Sequence, residues 1–168
     1  HYPGGIEGRM KIRILAIGKL KEKYWRDAIA EYEKRLRPYA KLEMLEGPEE
    51  DAPENLSAKE KELVMAKEGK FFLSKIKDDD YTIALDLGGD MITSEALAEL
   101  IEKKGMMQGK NINFIIGGSL GIADEVKAKC QKRIAFGNAT FPHQMIRVFL
   151  TEQIYRSMKI IRNEPYHK

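Results

Sequence analysis

The sequence predicts an α/β fold, a mostly parallel sheet flanked by helices, and three observations carry that expectation. Short runs rich in β-branched residues recur along the chain, as in MKIRILAI at 10–17, YTIALDL at 81–87 and NINFII at 111–116. Stretches with apolar residues at helical spacing separate these runs. Several of the runs end in glycine, at Gly18, Gly88 and Gly117. Strand and helix signals that alternate in this way are those of a parallel sheet with crossover helices.

Element by element, 10–17 is the first strand, since β-branched residues suit a pleated, buried surface. Trp25, Ala28, Ile29, Tyr32 and Leu36 then mark one face of a helix that Pro38 stops. Residues 41–45 form a second strand. Residues 47–55, with two prolines and four carboxylates, form an acidic loop. Ser57 and Glu60 have the spacing of a capping box, in which each side chain satisfies a backbone N–H at the start of the helix; that helix extends to about Ile76. Residues 81–87 are the third strand, closed by Gly88-Gly89-Asp90. Thr93 or Ser94 caps the next helix, with Leu97, Leu100 and Ile101 on its apolar face. The fourth strand is 112–116, a helix follows from about Ala123 to Gln131, and the fifth strand is 133–136. A long helix runs from Pro142 to Ile161.

Residues 1–9 stand apart. Ile6-Glu7-Gly8-Arg9 reads as a protease-cleavage tetrapeptide left by an expression tag, with Met10 as the natural start. Residues 10–168 are then a single domain, long enough to bury a core. Net charge is +3, from 29 basic against 26 acidic residues. That total permits nucleic-acid binding without requiring it, because affinity follows clustered charge. The clustering is in the last segment, at Arg147, Arg156, Lys159, Arg162 and Lys168. One cysteine, Cys130, excludes an internal disulfide and fits a reducing, cytoplasmic setting. Its basic surroundings, KAKCQKR, are of the kind that lowers a thiol pKa. Outside the tag only His143 and His167 are histidines, so no metal site is expected. No apolar run approaches membrane-spanning length.

The ligand signals lie at strand ends. Gly117-Gly118-Ser119-Leu120-Gly121 is neither the dinucleotide fingerprint nor a phosphate loop, and alone it reads as a turn. Taken with Leu85-Asp86-Leu87-Gly88 and with the segment 136–141, it becomes one of three loops at the ends of apolar strands. Three such loops can wall an apolar slot whose rim is main-chain N–H and C=O. An adenine ring suits that slot, whereas a phosphate would call for Lys, Arg or a helix N-terminus.

IGGSLG, TFPHQMIRV, EQIYR and the terminal PYHK, together with KIRILAIGKLKEKYWRDAIAEYEKRL near the start, resemble the RlmH subfamily of SPOUT methyltransferases over residues 10–168. The resemblance implies a deep trefoil knot near the carboxyl end, a homodimer and S-adenosyl-L-methionine as cofactor. It also implies methylation of N3 of a pseudouridine in large-subunit ribosomal RNA within the ribosome. By the same resemblance the cofactor contacts fall on Leu85, Gly117, Phe136, Gly137, Asn138, Ala139, Thr140 and Phe141.

N3 of the base carries a proton that must leave, and His143 is the first candidate to take it, since imidazole titrates near neutral pH. Tyr166 and His167 are candidates to stack on or bond to the target base, with Arg156 beside them; Arg147 and Lys168 are candidates for RNA phosphates. The tail is a candidate to complete the partner's site. Met145, Val148, Phe149, Ile154 and Tyr155 are assigned to core and dimer interface, and Asp86 to capping the Gly88-Gly89 turn. The competing reading is a ribosomal RNA-binding or assembly protein that uses the same basic face without chemistry.

Overall fold

The computed structural model describes residues 10–166. Expectations for residues 1–9, His167 and Lys168 lie outside the described residues. Among the described residues five strands form one sheet: β1 (Met10–Ile17), β2 (Ala40–Gly47), β3 (Tyr81–Met91), β4 (Ile112–Ile116) and β5 (Lys132–Ala135). Their order is β2-β1-β4-β3-β5, and every pairing is parallel. The helices are α1 (Lys23–Leu36), α2 (Ala58–Lys75), α3 (Ser94–Ile101), α4 (Asp124–Lys127) and α5 (His143–Ile161), with a π-helical turn, Glu102–Met107, continuing α3.

The two-residue period of a strand sorts side chains onto the two faces. Ile12, Ile14, Phe114, Ile116 and Ile83 point to one face, where Leu36 of α1, Leu97 and Ile101 of α3, and Leu150, Ile154 and Met158 of α5 cover them. Leu15, Ile17, Ala84 and Ile115 point to the other, against Phe72 of α2 and Val126 of α4. Both faces are buried, which is why the strands read as nearly unbroken apolar runs. On the α2 side a polar set replaces part of the packing. Arg13 bonds to Asn113, to Asp80 and to the Lys75 carbonyl, and Asn113 donates to Asp80 and Thr82.

The Ser57–Glu60 capping box is formed reciprocally, and Thr93 caps α3. Most boundaries fall within two residues of the sequence reading, and two differ by more. β3 does not end at the glycines but continues to Met91, because Asp90 and Met91 re-pair with Ile134 and Ala135 after a register shift. The Gly88-Gly89 pair is therefore a bulge rather than a stop. The helix expected over 123–131 shrinks to four residues. Gln131 is captured by β3 instead, its N–H bonding to the Thr82 carbonyl and its side chain accepting the Thr82 N–H.

Candidate functional site

The order β4-β3-β5 makes the carboxyl ends of these three strands neighbours, and the register pairs Leu85 with both Ile116 and Ile134. A cavity of about 340 Å³ opens there. Leu85, Gly117, Phe136, Gly137, Ala139, Thr140 and Phe141 line it, so seven of the eight expected cofactor positions are brought together; Asn138 is exposed and does not line it. Ile116 and Ile146 add apolar wall, and Phe141 is braced edge-on by Phe149 of α5 at 5.5 Å between ring centroids.

Two glycines set the shape of this cavity. At Gly117 a Cβ would lie 2.8 Å from the Gly121 carbonyl carbon and oxygen and from the Ile122 side chain. The chain doubles back there, closed by the Gly121 N–H on the Gly118 carbonyl at 3.0 Å. Gly137 has a φ of 155°, outside the range that L side chains ordinarily adopt.

Among the described lining residues only Asp86 and His143 titrate, and neither Lys nor Arg lines the cavity. Such a lining fits a neutral heterocycle bound by main chain and does not fit a phosphate. Asp86 accepts the Gly88 N–H at 3.3 Å and pairs with Arg133 at 3.2 Å and Lys127 at 3.4 Å. Burial alone would raise its pKa. The Gly88 bond and the two cations outweigh burial and hold the carboxyl below its ordinary value. The assignment of Asp86 to the turn fits this geometry, with an ion-pair role added.

His143 opens α5 at the rim, its ring accessible, with Pro142 in the capping position. The protein packed around the imidazole lowers its pKa; Glu49 opposes that shift and Arg147 adds to it. The ring is thus kept neutral and able to accept a proton near pH 7.

Arg147 is not placed to meet RNA. It is 1% exposed. Its Nη1 pairs with the Glu46 carboxylate, and its Nη2 donates to the Ile17 carbonyl at 3.1 Å and the Gly18 carbonyl at 2.7 Å. The residue ties the first turns of α5 to the ends of β1 and β2, and its Nε has no partner among the described residues. The phosphate-contact assignment is corrected accordingly. Cys130 also departs from expectation, because burial pushes its thiol up to about 11 while Arg133 only partly offsets that.

The three described candidate catalytic residues, His143, Arg156 and Tyr166, are not gathered together within the chain. Tyr166 packs edge-on against Tyr155 at 5.1 Å, its hydroxyl donates to Glu152 at 2.7 Å, and the Arg156 guanidinium lies 4.5 Å from its ring centre. Tyr155 follows His143 by twelve helical residues, about 18 Å along a straight α5. Sequence reasoning missed Glu46, the partner of Arg147, and Glu68. Glu68 is 5% exposed on α2 and accepts the Glu50 N–H at 3.2 Å beneath the acidic loop. Glu46 ends a strand beside the acidic loop and Glu68 sits on a helix rich in exposed charges, so neither position carried a signal.

Among the described residues no helix is long and apolar enough to cross a membrane, and no cluster of three or more His, Cys, Asp or Glu could hold a metal. The family described as "Predicted SPOUT methyltransferase" matches residues 10–167. The ribosomal RNA large subunit methyltransferase H 1 of Clostridium perfringens (strain SM101 / Type A) is 52% identical over 159 residues, 95% of this chain and 100% of the relative. Ribosomal RNA large subunit methyltransferase H of Clostridium beijerinckii matches equally well over the same shares, and that of Alkaliphilus oremlandii is 51% identical over them.

Proposed function

The chain belongs to the SPOUT methyltransferase family, a trefoil-knotted fold, and from that premise we propose that it methylates N3 of a pseudouridine in large-subunit ribosomal RNA on the assembled ribosome. S-adenosyl-L-methionine is the proposed donor, and the homodimer is the proposed acting form. One observation carries the reading: three adjacent strand ends wall a single cavity, apolar in its sides and main-chain at its rim, with a neutral imidazole at the mouth.

S-adenosyl-L-methionine, when bound, supplies a methyl group on a good leaving group, so the protein's work is mostly positioning and proton removal. Leu85, Phe136 and Phe141 would sandwich the adenosine part, and the backbone at Gly117 and over 137–140 would read its polar edges. Asn138 can contribute only through main chain, since its exposed side chain lies outside the lining. His143 would accept the N3 proton of the target base as attack proceeds.

Arg156, Tyr166, His167 and Lys168 are assigned to the RNA, and to the cavity of the partner protomer rather than their own. The span of α5 between His143 and Tyr155 supports this, as do Phe149 and Ile160, which α5 leaves more than a third exposed.

Calorimetry separates this reading from an RNA-binding module without chemistry. An enzyme of this kind binds S-adenosyl-L-methionine with one site per chain, and Gly117→Val abolishes that binding while the dimer persists. Absence of cofactor binding by the folded wild-type protein would overturn the assignment.

A further inference from the structure

A second cluster of chemistry lies away from the cavity, where α1 meets the last turns of α5. Tyr32, Tyr39 and Tyr155 form one aromatic patch, with Tyr155 centred 6.3 Å from Tyr32 and 6.4 Å from Tyr39. Three cations lie against these rings. Arg35 is 5.3 Å from Tyr32 and 5.8 Å from Tyr155; Lys159 is 5.4 Å from Tyr39 and 5.7 Å from Tyr155; Arg162 is 5.2 Å from Tyr39. Arg35 is also paired with Glu31 at 2.7 Å. Lys159 hydrogen-bonds the Tyr39 hydroxyl and feels the more distant charge of Glu164, but neither Lys159 nor Arg162 forms an ion pair among the described residues.

A cation seated on a tyrosine ring is held in place without being neutralised. Its charge remains available to an anion, and a planar guanidinium on an aromatic patch is well suited to phosphate and base together. The patch is continuous with the tail, because Tyr166 packs on Tyr155 beside Arg156. Any RNA whose target base is met by that tail must lay its neighbouring phosphates close by.

We propose that the face built from Lys159 and Arg162 over Tyr39, with Arg35 over Tyr32 and Tyr155, docks the phosphate backbone of the RNA that flanks the target nucleotide. The proposal rests on the methyltransferase reading and adds to it a surface used for substrate grip rather than for chemistry.

The test is a double variant, Lys159→Ala with Arg162→Ala, compared with wild type and with a control, Lys61→Ala with Lys67→Ala, that removes the same charge from the exposed side of α2. Methyl transfer to ribosomes is measured from 50 to 200 mM salt, alongside cofactor affinity and mass in solution. Each lost contact to single-stranded phosphate reduces the logarithmic salt slope by about 0.7. Losing two contacts makes the variant's decline across that range about sevenfold shallower. KM for ribosomes rises at least tenfold at low salt, cofactor affinity stays at the wild-type value, and the control behaves as wild type. A folded dimeric variant with wild-type KM and slope would overturn the docking face while leaving the methyltransferase reading intact. So would an equal effect in the control, which would make the response one of net charge alone. A monomeric double variant would assign the face to the protomer interface and overturn the proposal as well. Failure of the wild type to methylate ribosomes would instead strike the underlying reading.

Discussion

Replacing Gly117 by alanine tests the cavity with a single carbon atom. The added Cβ would stand 2.8 Å from the Gly121 carbonyl carbon and oxygen and from Ile122 Cγ1, where ordinary contact begins near 3.4 Å. Two of those three neighbours are backbone, so no rotamer change relieves the overlap. The loop 117–121 must open, and it is closed by the Gly121–Gly118 hydrogen bond at 3.0 Å. Overpacking of this size costs about 1–3 kcal/mol. If the cost falls on the shape of the loop, cofactor affinity drops by about 5-fold to 150-fold, since each 1.4 kcal/mol is a factor of ten. Valine brings two further methyl groups into the same space and removes measurable binding. Calorimetry with S-adenosyl-L-methionine reads the affinity, while thermal melting and light scattering show that the variant is folded and keeps its mass. An alanine variant with wild-type affinity would refute the argument, because it would mean that the loop's tight closure does not shape the cavity.

Three further outcomes follow from the same geometry. Arg147→Met leaves the Ile17 and Gly18 carbonyls without their Arg147 donor and the Glu46 carboxylate with only the Leu20 N–H, and urea unfolding should show a loss of about 3 kcal/mol, the low end for a broken buried pair because Glu46 is 32% exposed; an unchanged midpoint would contradict the tie. Methyl transfer should fall as pH drops through the lowered pKa of His143, below the ordinary value of about 6.5, because a protonated ring cannot accept the N3 proton. Glu49→Gln removes the carboxylate that raises that pKa and should move the acid limb lower still, and a limb that persists in His143→Asn would rule the imidazole out as the base. Deleting residues 165–168 should leave cofactor affinity nearly intact and lower methyl transfer by orders of magnitude. Mixing that deletion with a His143 variant should restore activity if the tail serves the partner's cavity, and a fully active deletion would remove the tail from the mechanism.

The walls of the cavity were legible because each is a local signal, an apolar run stopped by glycine or by a polar loop. That Leu85, Gly117 and Phe136 converge follows from a parallel sheet in which β4, β3 and β5 are neighbours, although the strand order itself is long-range information. Arg147 shows where local signals end. A guanidinium on an amphipathic helix looks solvent-facing until its acceptors are known, and two of them, Ile17 and Gly18, lie about 130 residues away in the chain. The overlong 123–131 helix and the premature stop at Gly88 have the same origin, since pairing with β3 and β5 decided both. The stacking of Tyr39 and Tyr32 with the end of α5 joins segments more than a hundred residues apart, so nothing in either segment announced it. The trefoil knot came from family resemblance, as no periodicity encodes a chain threading through itself.

The most direct test of the central claim is transfer of a labelled methyl group from S-adenosyl-L-methionine to assembled ribosomes, isolated large subunits and naked RNA in parallel, with the RNA then digested to nucleosides. The account predicts label on assembled ribosomes, in one N3-methylated pseudouridine of the large-subunit RNA, with the His143→Asn protein transferring little. Label on another nucleoside, or no transfer to ribosomes by a folded protein that binds the cofactor, would contradict it.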